Sequence, residues 1–138
     1  MGFLRSIDIS GSALTAERLR MDVIASNVAN AETTRTRQGG PYRRQQVTFT
    51  TLADRSDPVT RVGGVRVSSI TESQEPPRIV YDPTHPDADA EGNVAYPNVE
   101  MSTEMVDMLA ASRAYEANVT VLNAAKMMAQ RALTIGRR

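Results

Sequence analysis

Apolar residues recur at helical spacing at the two ends of this chain, with a stretch of a different period between them, and that arrangement decides most of what the sequence can become. From about Asn98 to Ile135 the residues Met101, Met105, Met108, Ser112, Tyr115, Val119, Leu122, Lys126, Ala129 and Leu133 step alternately by four and three, as a coiled-coil seam requires. From Phe3 to Ala31, Ile7, Leu14, Met21 and Val28 stand a heptad apart, with Leu4, Ile24, Ala25 and Ala31 beside them. Both segments are expected to be helices. Gly11 is a point where the first can bend or start late. For the second, Asn98 or Ser102 suits the N-cap, Glu100, Glu104 and Asp107 suit the positive end, Arg131 and Arg137 the negative end, and Gly136 the stop.

The middle cannot continue either helix. All seven prolines lie between Pro41 and Pro97, and proline breaks a helix interior. Val47 to Leu52 is rich in β-formers. Arg61 to Val67 sets two alternating segments about Gly63-Gly64, which reads as a hairpin turn. Arg78 to Tyr81 and Asn93 to Val99 are expected to be further short strands, and the tract from Ser73 to Asn93 reads as loop-rich and mobile. The fold class is therefore mainly α with a small β-rich middle. Residues 1–34 form an N-terminal helix, 35–97 an extended and β-rich segment, and 98–138 a C-terminal helix that pairs with the first as an antiparallel coiled coil.

Composition narrows the function. The net charge is zero, with 16 basic and 16 acidic residues, so no overall field draws in nucleic acid or an anionic membrane. Cysteine is absent, which removes disulfides, thiolate metal sites and cysteine nucleophiles. Nothing in the chain is apolar over a bilayer's width, and the N-terminus lacks the basic start and apolar core of a signal peptide. Aromatic residues are only 4% of the chain, so its apolar content is mostly aliphatic, suited to helix packing more than to a thick core.

The chemistry-bearing residues are few. His85 is the only histidine and has no nucleophile or second histidine in its motif, so it supports neither a triad nor a zinc site. Asp82, Asp87, Asp89 and Glu91 before Gly92 faintly resemble a calcium loop but lack its ligand alternation and closing glutamate. Arg35, Arg37, Arg43 and Arg44, with Tyr42, could touch RNA, though solvated or protein-interface arginines explain them as well. Asn118-Val119-Thr120 matches a glycosylation acceptor inside a helix, where such sites are not normally used. No cofactor or metal is expected. Asn27 and Asn30, near the end of the first helix, either bond freed backbone carbonyls there or join hydrogen bonds between packed subunits.

A single amphipathic helix is marginal in water. Pairing the two ends covers one stripe of each, yet Ala110, Ala111, Ala114, Ala117, Ala124 and Ala125 would still flank the pair and allow further helices to approach closely. The residues alone thus point to a self-assembling or co-assembling protein whose terminal helices are its polymerisation surface.

Two stretches carry a resemblance. Ala13 to Thr34, ALTAERLRMDVIASNVANAETT, resembles the N-terminal motif of the axial rod and hook proteins of the bacterial flagellum, in which a helix ends in an Asn-x-x-Asn-like run followed by Thr. The SRAYEAN core, Ser112 to Asn118, within Val80 to Arg137, is similar to the C-terminal part of the same family; GGPYRRQ departs from the usual motif by Pro41 between Gly40 and Tyr42. The resemblance implies a subunit of the rod that crosses the periplasm around a central export channel and transmits torque. It implies export through the flagellar type III apparatus without a cleaved signal peptide. The implied partners are other copies, other rod proteins, the export apparatus and the adaptor joining the membrane ring to the rod, with no nucleic acid and no membrane span.

On this reading the assembly residues are Ile7, Leu14, Met21, Ile24 and Val28 in the first helix, and Met105, Met108, Tyr115, Val119, Leu122 and Leu133 in the last. Asn27, Asn30, Arg113, Glu116 and Asn118 set register. The alternative is a soluble, chaperone-like module whose helices clasp a partner helix. An enzyme using His85 or the Asp82 to Glu91 acids stands third.

Overall fold

A computed structural model describes residues 2–53 and 62–136 of the chain. Its elements are α1 (Gly2–Ala29), β1 (Gln45–Ala53), β2 (Val62–Glu72), β3 (Arg78–Tyr81), β4 (Asn93–Tyr96) and α2 (Met101–Ile135). Arg61, at the edge of the expected Gly-Gly hairpin, and Arg137, expected to suit the helix end, lie outside the described residues.

The helices pack against each other in opposite directions. Asn27 meets Glu104 and Met21 meets Ser112, so partners move along α2 as they retreat along α1. At 1.5 Å per residue α1 is about 42 Å long and α2 about 52 Å, and beyond Ala125 no described residue of α2 is buried. The core is thin: Ala16, Val23 and Ile24 from α1, Ala111 and Ala125 from α2, and Val94 from β4. Small side chains let the helix axes come close, and the few aromatics leave little else to bury.

β1 and β2 form an antiparallel ladder with register breaks after Thr48 and after Leu52, and β3 and β4 form a separate antiparallel pair. Gly63-Gly64 is not a hairpin turn. Both glycines lie inside β2, where Gly64 has φ +139° and faces α1, so a Cβ there would run into the Ser12 hydroxyl. That hydroxyl donates to the Ile9 carbonyl (2.7 Å) and accepts from Val65 N–H (3.0 Å), fastening strand to helix. The glycine is needed for close approach rather than for reversal. Gly39-Gly40 is a true turn, with φ of +89° and +75° and the Thr36 amide on the Gly40 carbonyl.

The expected cap of α2 is corrected. Neither Asn98 nor Ser102 caps α2: its N-cap is Glu100, with no side-chain cap bond, and Asn98 donates instead to Glu75 (2.9 Å). Gly136 stops the helix as expected, in a right-handed conformation rather than the left-handed one that favours glycine. The acidic tract, outside β3 and β4, is a loop with local hydrogen bonds of its own. Asp82 accepts from the Thr84 amide and hydroxyl, Asp89 from the Glu91 and Asn93 amides, and His85 Nδ1 from the Asp87 amide. The two aspartates form Asx-type turns, in which a short acid replaces water as the partner of backbone N–H groups. Thr84 holds the Asp82 carboxyl below its ordinary value, first through its hydroxyl and then through its amide.

Candidate assembly interface

α1 ends because its chain must turn back. Asn30 donates to the Ser26 carbonyl (2.8 Å), closing the last turn, and Thr33 N–H bonds the Asn30 carbonyl. The Tyr42 amide then bonds Thr33, and the segment returns to lie over the helix it has just left. There a polar knot forms. Asn27, fully buried, donates to the Gln45 carbonyl (2.9 Å) and to Glu104 Oε2 (3.1 Å), and its Oδ1 accepts from Gln45 N–H (2.8 Å) and the Tyr42 hydroxyl (2.9 Å). Asn30 therefore acts as a helix end-group, while both ends of the Asn27 amide are occupied within the chain.

Glu104 is fully buried as well. A buried carboxylate is costly unless it is paired and hydrogen-bonded. Arg44 meets that need: its Nε donates to Glu104 Oε1 while its Nη2 reaches Asp107 Oδ2 at 3.4 Å. Arg20 closes the ring from α1, 3.8 Å from Asp107 and 3.9 Å from Glu17, with its guanidinium 6.0 Å from the Phe49 ring centroid. The knot thus ties α1, the returning loop, β1 and the first turns of α2 at one point. Of the basic cluster, Arg44 is spent here and Arg35 pairs with Asp87 (3.7 Å), which also accepts from the Thr34 hydroxyl.

The face that α2 turns to its own chain is displaced from the stripe expected from the sequence. Its buried and half-buried row is Glu104, Met108, Ala111, Tyr115, Asn118, Leu122, Ala125 and Ala129, again in steps of four and three. Met108, Tyr115 and Leu122 therefore sit in this row and Val119 half-buried beside it, whereas Met105 and Leu133 are 62% and 71% exposed. On α1, Ile24 is buried, and Ile7, Leu14, Met21 and Val28 are half-buried, because α2 covers one side of that helix and β2 another. Arg113 and Glu116 are exposed, and Asn118 bonds the Ala114 carbonyl (2.9 Å). The members of the knot were visible only separately in the sequence, Arg44 in a basic cluster and Glu104 and Asp107 as helix-end acids. One clue was available: Glu104 begins a row whose next members are Met108, Ala111 and Tyr115.

A second row runs along the opposite side of α2. Val106, Ala110, Arg113, Ala117, Val121, Ala124, Met128, Arg131 and Ile135 follow one another at steps of three and four, a little over a third of a turn from the buried row, and all but the half-buried Ala124 are exposed. Val121 is 49% exposed and Ile135 76%. Among the described residues there is no group of acids and histidine arranged to hold a metal ion, and no helix is long and apolar enough to cross a membrane.

A helix with one row covered and a second, largely aliphatic row left exposed offers a surface on which other chains can pack. Two family models give the chain its class, the axial structural proteins of the flagellum: "Flagella basal body rod protein" matches residues 7–35, and "Flagellar basal body rod FlgEFG protein C-terminal" matches residues 90–135. The chain is 48% identical to the flagellar basal-body rod protein FlgC of Escherichia coli O6:H1 over 99% of both chains. It is 46% identical to that of Borreliella burgdorferi over 98% of both, and 45% identical to that of Bacillus subtilis over 99% of this chain and all of the relative. The chain belongs to the family of flagellar basal-body rod proteins FlgC.

Proposed function

We propose that this protein is a structural subunit of the flagellar basal-body rod that enters the rod by burying the outer row of α2, from Val106 to Ile135, against helices of neighbouring subunits. The carrying observation is that row, aliphatic apart from Met128, Arg113 and Arg131 and exposed apart from Ala124, while the inner row is already covered. The polar knot holds α1 and α2 in one register, so that two helices meet their neighbours as a stiff pair able to pass on torque, and the coiled-coil layer arises in the assembly. The β1–β2 ladder, anchored through Ser12 and Gly64, lies to the side of the pair. Rod neighbours, the adaptor at the membrane ring and export without a cleaved leader fit this reading, as does catalytic inactivity.

Leu122 lies in the covered row, so a charge there would disturb the fold as well as assembly. Val121→Asp is the cleaner test. An aspartate on the exposed row leaves the monomer's helical content unchanged but abolishes rod assembly and swimming, because burial of an unpaired carboxylate is prohibitive. Normal motility in that strain would refute the interface. A wild-type chain that sediments only as a folded monomer or dimer while binding a free helix would favour the clasping module.

A further inference from the structure

Five of the chain's methionines lie in α2, at Met101, Met105, Met108, Met127 and Met128. Their surroundings differ sharply. Met105, Met127 and Met128 are 62%, 54% and 60% exposed, whereas Met108 is half-buried in the covered row. In α1, Met21 is half-buried and its sulfur accepts the Ser112 hydroxyl at 3.7 Å. Met128 belongs to the outer row, and Met127 and Met105 lie on one side of it, about a fifth and about a third of a turn away.

We propose that Met105, Met127 and Met128 form an oxidant-sensitive modification site: a peroxide converts their thioethers to sulfoxides in the free subunit, and the sulfoxides bar it from assembly. The proposal rests on the outer face of α2 being the assembly surface. The sulfur attacks one oxygen of the peroxide, the O–O bond breaks as the S–O bond forms, and the departing hydroxide takes up the remaining proton as water. Sulfur loses two electrons and the peroxide gains them, so no further reactant is needed. The product is polar and chiral where the thioether was apolar and pliant. Burying it without a donor in a helix interface weakens association by about tenfold or more per sulfoxide. Assembly covers the same sulfurs, so a subunit already packed is protected and only the unassembled pool is withdrawn.

The test treats the purified chain with hydrogen peroxide, quenches with catalase, maps sulfoxides by mass spectrometry and measures association by sedimentation, alone and with other rod proteins. Oxidation several-fold faster at Met105, Met127 and Met128 than at Met21 and Met108, with association lost while helical content persists, is the expected result. Whatever association a Met105→Leu, Met127→Leu, Met128→Leu chain retains is the same before and after peroxide, and methionine sulfoxide reductase with a dithiol restores the oxidised wild type, each sulfoxide oxygen leaving as water while the dithiol becomes a disulfide. Undiminished association of oxidised wild type overturns the proposal and leaves the assembly reading intact, as does equal peroxide sensitivity in the triple variant. Failure of the untreated chain to associate in either setting overturns both.

Discussion

Replacing Asn27 by alanine removes one side chain from a point where four partners converge. Gln45 loses bonds to both its carbonyl (2.9 Å) and its amide (2.8 Å), the Tyr42 hydroxyl loses an acceptor, and Glu104 Oε2 loses a donor at 3.1 Å. Each bond contributes about 1 kcal/mol net, and an orphaned buried partner costs about 1–3 kcal/mol. Arg44 still neutralises Glu104, and Tyr42 also lies 3.4 Å from Ser26, so not every partner is stranded. The expected loss is therefore about 3–4 kcal/mol, large against the marginal stability of a small chain. Urea unfolding followed by far-UV circular dichroism reads the change, with Asn30→Ala as the control because Asn30 closes a single helix-end bond to Ser26 and receives one from Thr33. Hydrogen exchange adds a local readout: the Gln45 amide, protected by Asn27 Oδ1, exchanges orders of magnitude faster in the variant. A loss below about 1 kcal/mol, or no larger than that of Asn30→Ala, would mean that the knot does not hold the helix pair.

Gly64→Ala places a Cβ against Ser12 at a φ of +139°, and costs about 1–3 kcal/mol in backbone strain before the clash is counted. In a double-mutant cycle Ser12→Ala recovers the clash portion but not the strain; simple additivity would show that the two groups do not meet. At Asp82, Thr84→Val removes the hydroxyl that chiefly depresses its pKa, so the carboxyl titrates closer to the ordinary value of 3.8 in an NMR titration. Because a depressed carboxyl stabilises the fold above its unfolded pKa and ceases to as pH falls through the folded one, the wild-type turn weakens only in acid below that ordinary value. An unchanged titration in the variant would remove Thr84 as the cause.

Much was legible in the linear pattern. The four- and three-residue steps announce α1 and α2, the proline tract excludes a third long helix, and Val47 to Leu52, Arg78 to Tyr81 and the first four residues of the expected Asn93 to Val99 segment fall within strands, as β-branched and aromatic runs between turn residues favour. The motifs at both ends were enough to place the family. These signals are local, carried by residues within one or two turns of each other.

What tertiary structure alone decided involves residues far apart in sequence. Which of two adjacent helical rows faces inward on α2 depends on Glu104 finding Arg44 and Asn27 across the fold, so the apolar Met105 stays outside and an acid goes in. Spacing alone cannot choose, because rows one residue apart share the same period and differ only in the partner that meets them. Gly63-Gly64 reads as a turn until Ser12 is seen against it, when its lack of a side chain becomes a requirement of packing. The period of a helix is written along the chain, but the direction in which it turns its faces is settled by what the rest of the chain brings against it.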